Sequence, residues 1–161
     1  MVNRVVVDAG PLIHLGQAGA LFLLNEFEQM DIPQTVLDEI TDQDTFTELS
    51  ALEHNVRQVG YAADDYPSLD PGETAAITLA SEIGAILLTD DLSAREIAND
   101  ADIEVHGSIG IVLFGHGRGQ LESSEAKTLI RSLKRDTTLY LADPLVEYAL
   151  QRLDSDYSSW G

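Results

Sequence analysis

Short runs of β-branched and aliphatic residues alternate along this chain with longer stretches whose apolar positions recur at helical spacing. Arg4 to Val7 (RVVV) is a strand pattern that stops at Asp8, and Pro11 suits the first turn of a following helix. Leu12, Ile13, Leu15, Leu21, Phe22, Leu24 and Phe27 make a long apolar face interrupted by Gly16 and Gly19, which predicts one broken helix or two short ones. Ile32-Pro33 predicts a short strand and turn. Gln34 or Thr35 then opens a helix carrying Val36, Leu37 and Ile40, with Asp38 and Glu39 between them. The stretch TFTELSALEHNVRQV predicts a helix and YAADDYPSLD an exposed acidic loop.

Asp70-Pro71-Gly72-Glu73 is a helix-start signal, and the Ala-rich helix from Glu73 to Ile83 stops at Gly84, a residue suited to a left-handed cap. A strand over Ala85 to Leu88 runs into Asp90-Asp91, and a helix through Ile97 and Ala98 follows. Ile103 to Val105 predicts another strand, GSIGIVLFG a buried helix, and two more helices follow at about 122–135 and 143–153. Strands alternating with helices at this spacing imply an α/β fold with a central parallel sheet covered on both faces. The expected unit is a single domain over 1–153 with a flexible tail over 154–161.

In open parallel sheets, ligands bind beyond the carboxyl ends of the strands. Asp8 and the pair Asp90-Asp91 each follow an apolar strand, so both are expected on one rim. Glu73 opens the helix that leads into the Leu87-Leu88 strand, and Glu39 sits among apolar residues on a short helix; both are candidates for the same place. Taken singly, each has an ordinary explanation: an N-cap for Asp90 or Asp91, a helix-dipole partner for Glu73, a solvated face for Glu39. Converging carboxylates repel one another unless a cation neutralises them. Oxygen donors without cysteine favour Mg²⁺ or Mn²⁺, and Mg²⁺ shares its waters with substrate phosphates. That points to phosphodiester chemistry.

The segments VVVDAGPLIHL, IPQTVLDEI, LDPGETAAITLASEIGAILLTDD and ARE together resemble the PIN-domain ribonucleases, closest to the VapC-like toxins, across residues 1 to about 110. The resemblance implies a three-layer α/β/α fold and Mg²⁺- or Mn²⁺-dependent endonucleolytic cleavage of single-stranded or structured RNA by a metal-bound water. Asp8, Glu39, Glu73 and Asp91 would hold the metal, with Asp90 as an auxiliary or alternative ligand. Arg95, four residues beyond Asp91, would orient a carboxylate or meet a phosphate. A small antitoxin protein and a homodimer are the implied partners. Two departures stand out: the family usually has Ser or Thr after the first Asp, where this chain has Ala9-Gly10, and the third acid is Glu, as in the PGE branch.

Charge modifies this picture. The 161 residues carry 28 acidic and 9 basic side chains, a formal net charge of −19, and only Lys127 and Lys134 are lysines. Self-repulsion of that size is screened at about 1 M salt, where the Debye length is roughly 3 Å. The composition therefore suggests a halophilic cytoplasm, and it argues against binding RNA through many phosphate contacts. Zero cysteines exclude disulfides and fit a reducing compartment, the N-terminus shows no signal-peptide pattern, and no apolar run approaches a membrane span. A cytoplasmic location is expected. His14 on an apolar helical face reads as packed rather than ligating, and His54, His106 and His116 show no ligand spacing. A phospho-acceptor receiver would need an acidic pair after the first strand and a late-strand Lys, and a dehalogenase-type phosphatase needs Asp where Gly10 stands. The competing reading is a catalytically weak PIN-fold module that binds RNA or protein.

Overall fold

The computed structural model describes residues 4–155. Among them five strands, β1 (Arg4–Val7), β2 (Gln29–Pro33), β3 (Asn55–Arg57), β4 (Ile86–Leu88) and β5 (Val105–His106), form one sheet in the order β3-β2-β1-β4-β5. Every pairing is parallel. Val5, Val6, Val7, Leu87 and Leu88 are buried, as expected of central parallel strands covered on both faces.

Helices α1 (Ala9–Gln17), α2 (Gln34–Leu37), α3 (Gln43–Ser50), α4 (Pro71–Ile83), α5 (Leu92–Asp100), α6 (Ser108–Gly117), α7 (Ser123–Asp136) and α8 (Asp143–Asp154) flank the sheet, with a 3-10 helix at Leu21–Glu26. Helix α4 packs on β1, β2 and β4 and touches α2 and α5. Helices α1, α3, α6, α7 and α8 join the 3-10 helix in a second packed group. The architecture is three-layer α/β/α. Among the described residues no helix is long and apolar enough to cross a membrane.

The helix broken at Gly19 is two pieces: Gly19 takes φ +69° between α1 and the 3-10 helix. Gly84 caps α4 in the left-handed region, φ 65°. Two expectations need correction. The helix read over TFTELSALEHNVRQV ends at Ser50, and Asn55–Arg57 is instead an edge strand whose one apolar residue, Val56, is 45% exposed. A three-residue edge strand with little to bury leaves no periodic signal. The helix expected to carry Glu39 closes at Leu37, so Glu39 lies in the turn beyond it. Of the segment 154–161 read as a tail, Asp154 closes α8, while residues 156–161, including Trp160, lie outside the described residues.

Candidate metal and phosphodiester site

The strand order reverses between β1 and β4, because β1 is followed in space by β2 and β3 on one side and β4 by β5 on the other. Such a reversal opens a crevice at the carboxyl ends of the two strands. Val7 pairs with Leu88, and the Asp8 N–H donates to the Leu88 carbonyl at 2.9 Å. The sheet ladder therefore sets Asp8 beside the residues that follow β4.

Around this crevice is a cavity of about 660 Å³ whose lining includes Asp8, Glu39, Glu73, Asp90 and Asp91. The structure thus brings together all five candidate carboxylates, from four segments of the chain. A sixth, Asp70, lines the same cavity, although its sequence context signalled only a helix start. Among the described residues no Lys or Arg lines it.

Each acid is positioned by an identifiable local cause. Asp8 caps α1: Oδ1 accepts from Ala9 N–H at 2.8 Å, while Oδ2 accepts from the Thr89 hydroxyl at 2.8 Å. Asp91 caps α5, accepting from Ala94 N–H at 2.9 Å. Glu73 and Asp70 form a capping box at the start of α4, Asp70 N–H donating to Glu73 at 3.0 Å and Glu73 N–H to Asp70 at 2.7 Å. Glu39 accepts from the Gly72 N–H in the first turn of that helix. A side chain at position 72 would be too close: an added Cβ would lie 2.6 Å from Glu39 Oε1 and 2.7 Å from Oε2. The ordinary capping readings of Asp91 and Glu73 are correct locally, and both side chains still line the shared cavity.

Asp90 differs from Asp91. Its oxygens accept from Ser108 N–H at 2.7 Å and from the Ser108 hydroxyl at 2.6 Å, and Oδ2 lies 2.8 Å from His14 Nδ1. The three bonds tie α1, the end of β4 and the start of α6 together. His14, expected to be packed, lines the cavity through this contact. Arg95 does not line the acidic cavity; it lines an adjoining one. His54 and His116 each contact a backbone carbonyl, and His106 contacts Glu104.

The carboxylates hold their protons unusually tightly. Burial, helped by the neighbouring Asp70 and Glu39 charges and opposed by the Thr89 and Ala9 donors, raises Asp8 to about 6. Burial, with Asp70, Asp91 and Asp8 nearby, raises Glu73 to about 7 against the bond from Asp70 N–H. Glu39 is raised as well, by burial and by Asp70 and Glu73. Burial is the largest cause in all three, and the neighbouring carboxylates add to it.

Among the described residues no three Asp, Glu or His side chains are placed closely enough to cage an ion. The donor set is nevertheless the right kind for a hard ion of the Mg²⁺ class, which keeps several waters and takes only one or two carboxylates directly. Asp8, Glu39, Glu73 and Asp91 fit that demand; Asp90, with its oxygens already engaged, fits it least.

A comparison with curated proteins gave no match. Among solved structures the chain is similar to a PilT N-terminus domain protein from the hyperthermophilic archaeon Sulfolobus solfataricus P2, at 16% identity and a TM-score of 0.46, over 67% of this chain and 89% of that one. A family profile described as PIN domain matches residues 4–155, and the chain therefore belongs to the PIN-domain family.

Proposed function

We propose that this protein is a Mg²⁺- or Mn²⁺-dependent endoribonuclease, acting as the toxin of a toxin–antitoxin pair in a high-salt cytoplasm. PIN domains are generally nucleases, so membership supports hydrolysis at the level of reaction class. The observation that carries the finer reading is the convergence of Asp8, Glu39, Glu73 and Asp91 in one cavity at the sheet's switch point, with no Lys or Arg among the described residues that line it.

Asp8, Glu39, Glu73 and Asp91 would hold the ion, directly or through water. When bound, the ion supplies Lewis acidity towards the phosphodiester and lowers the pKa of water. The chain's own contribution is to keep these carboxylates oriented, Asp8 through Thr89 and Ala9, Asp91 through Ala94, Glu73 through Asp70 and Glu39 through Gly72. Asp90 positions His14 and the start of α6 rather than serving as a principal ligand. A small antitoxin and a homodimer belong to the same reading.

The competing module, which binds without cutting, draws support from Ala9, where a hydroxyl is usual. The Thr89 hydroxyl on Asp8 weighs against it, because it places a hydroxyl on the same carboxylate from β4's end. The deciding experiment is cleavage of a mixed RNA pool in molar KCl with and without Mn²⁺, using wild type, Asp8→Asn and Asp91→Asn. Metal-dependent cutting lost in both variants is the expected result. Folded wild type that neither cuts RNA nor binds Mn²⁺ by calorimetry would leave only the binding module.

A further inference from the structure

Beside the acidic cavity lies a second one of about 330 Å³, within the range of small-ligand sites, roughly 300–1,000 Å³. Its lining includes Arg95, Asn99, His106, Gly107, Leu145 and Tyr148, and among the described residues no Asp or Glu lines it. In a chain with 28 acidic groups that is an unusual place.

Arg95 brings a guanidinium to this lining, while five of the chain's nine basic side chains are engaged elsewhere. Arg57, Arg118, Lys127, Lys134 and Arg135 are each paired with a carboxylate. Arg95 is half-buried and makes no ion pair among the described residues, and it faces a cavity whose described lining offers it no carboxylate. A guanidinium in that state suits an anionic oxygen, which it binds with fixed fork geometry.

The two cavities share a lining residue. Leu145, 44% exposed, lines both. Gly107 stands at the boundary, and the absence of a side chain there matters: a Cβ would lie 2.7 Å from Arg95 Nη1 and 2.8 Å from Asp90 Oδ1. The arginine therefore approaches the rim of the acidic site through a gap that only glycine leaves open. Tyr148, 48% exposed, lines the same cavity; the Arg152 guanidinium lies over one face of its ring, 5.6 Å from the centroid, and donates to its hydroxyl at 2.9 Å, which leaves the other face for a ligand.

We infer that this second cavity is a nucleotide subsite: Arg95 takes the phosphate next to the one being cut, and Leu145 and Tyr148 receive the unpaired base attached to it. The inference rests on the nuclease reading for its placement beside the scissile bond. A base paired in a duplex has no face to offer a stacking side chain, so the subsite requires an unpaired nucleotide beside the scissile bond. Stacking and one half-buried guanidinium further suit a chain of charge −19, for which many phosphate contacts are unavailable.

Three measurements on the full chain test this. Fluorescence anisotropy with a labelled single-stranded RNA decamer in EDTA reads binding without cleavage. Mn²⁺-dependent hydrolysis of bis(p-nitrophenyl) phosphate reads the acidic site without an adjacent nucleotide. Cleavage of the decamer reads both together. Arg95→Gln and Tyr148→Ala should each weaken decamer binding about tenfold and raise KM for the decamer by a similar factor. Both should leave hydrolysis of the small diester within twofold, and Arg95→Lys should recover part of the loss. Decamer affinity and KM unchanged in both variants overturn the subsite while leaving the nuclease intact, as does an equal loss on both substrates. RNA binding that depends on Arg95 and Tyr148 in a wild type that cuts neither substrate overturns the nuclease reading and keeps the subsite as a binding site.

Discussion

The Thr89 hydroxyl donates to Asp8 Oδ2 at 2.8 Å and accepts from the Asp91 N–H at 3.2 Å, so one buried oxygen bridges the acid after β1 and the acid after β4. Thr89→Val keeps the shape and removes the bridge. Asp8 then loses a donor that opposes the effect of burial, and its pKa rises further above 6. The pH–rate profile for RNA cleavage should shift its acidic limb upward, with activity near pH 7 down about tenfold. Stability should fall by about 1–2 kcal/mol in thermal melts, as for a lost buried hydrogen bond. Thr89→Ser should retain the profile; a valine variant with an unaltered acidic limb would remove Asp8's dependence on Thr89.

Gly72 has a role that helix propensity does not predict. Alanine is favoured over glycine inside a helix by up to about 1 kcal/mol, so Gly72→Ala should leave melting unchanged or slightly raised. Its Cβ would collide with the flexible end of Glu39, which moves away at small energetic cost. The expected signature is a stable protein with Mn²⁺ affinity reduced several-fold by calorimetry and RNA cleavage reduced at least tenfold. Full metal affinity in the alanine variant would show that Glu39 does not need its place over α4.

The charge of −19 makes a separate prediction about salt. Between 0.1 M and 2 M KCl the melting temperature of the metal-free protein should rise by on the order of 10 °C as repulsion is screened. A melting temperature flat across that range would remove the halophilic reading while leaving the fold and site untouched.

What the sequence reveals and what it hides separate along physical lines. Asp8 and Asp91 were legible because each ends a continuous apolar run, and burial of β1 and β4 on both faces requires such runs. Glu73 was legible through its capping chemistry, a local effect within four residues. Asp90 could not be told apart from Asp91 in sequence, because what distinguishes them is Ser108, 18 positions on, and His14, 76 positions back. Arg95 was placed near the acids by helical spacing from Asp91, yet its side chain turns into the neighbouring cavity, a consequence of how α5 packs on β5. Strand β3 was missed because an edge strand held by backbone pairing to β2 needs little apolar side chain.

The tightly held protons make the last prediction, in which metal and pH act in opposition. Glu73 rises from 4.5 to about 7, and Asp8 from 3.8 to about 6, in the folded chain. The native state therefore binds more protons than the unfolded one between about pH 4 and pH 7. The stability these groups contribute is fully present below their unfolded pKa values and is lost as pH rises through the folded ones. Metal-free wild type should melt at lower temperature at pH 7.5 than at pH 5. Glu73→Gln removes one of the strained charges and can still accept from Asp70 N–H. Discounted for the solvent around this half-exposed group, it should stabilise the metal-free protein by on the order of 1 kcal/mol at pH 7.5 and have little effect at pH 4.5. Adding Mn²⁺ should reverse the order, raising the melting temperature of wild type at pH 7.5 by more than that of Glu73→Gln, because the ion stabilises the carboxylates in the deprotonated form that repulsion disfavours. If Mn²⁺ raised both proteins equally at pH 7.5, Glu73 would be a helix cap and nothing more.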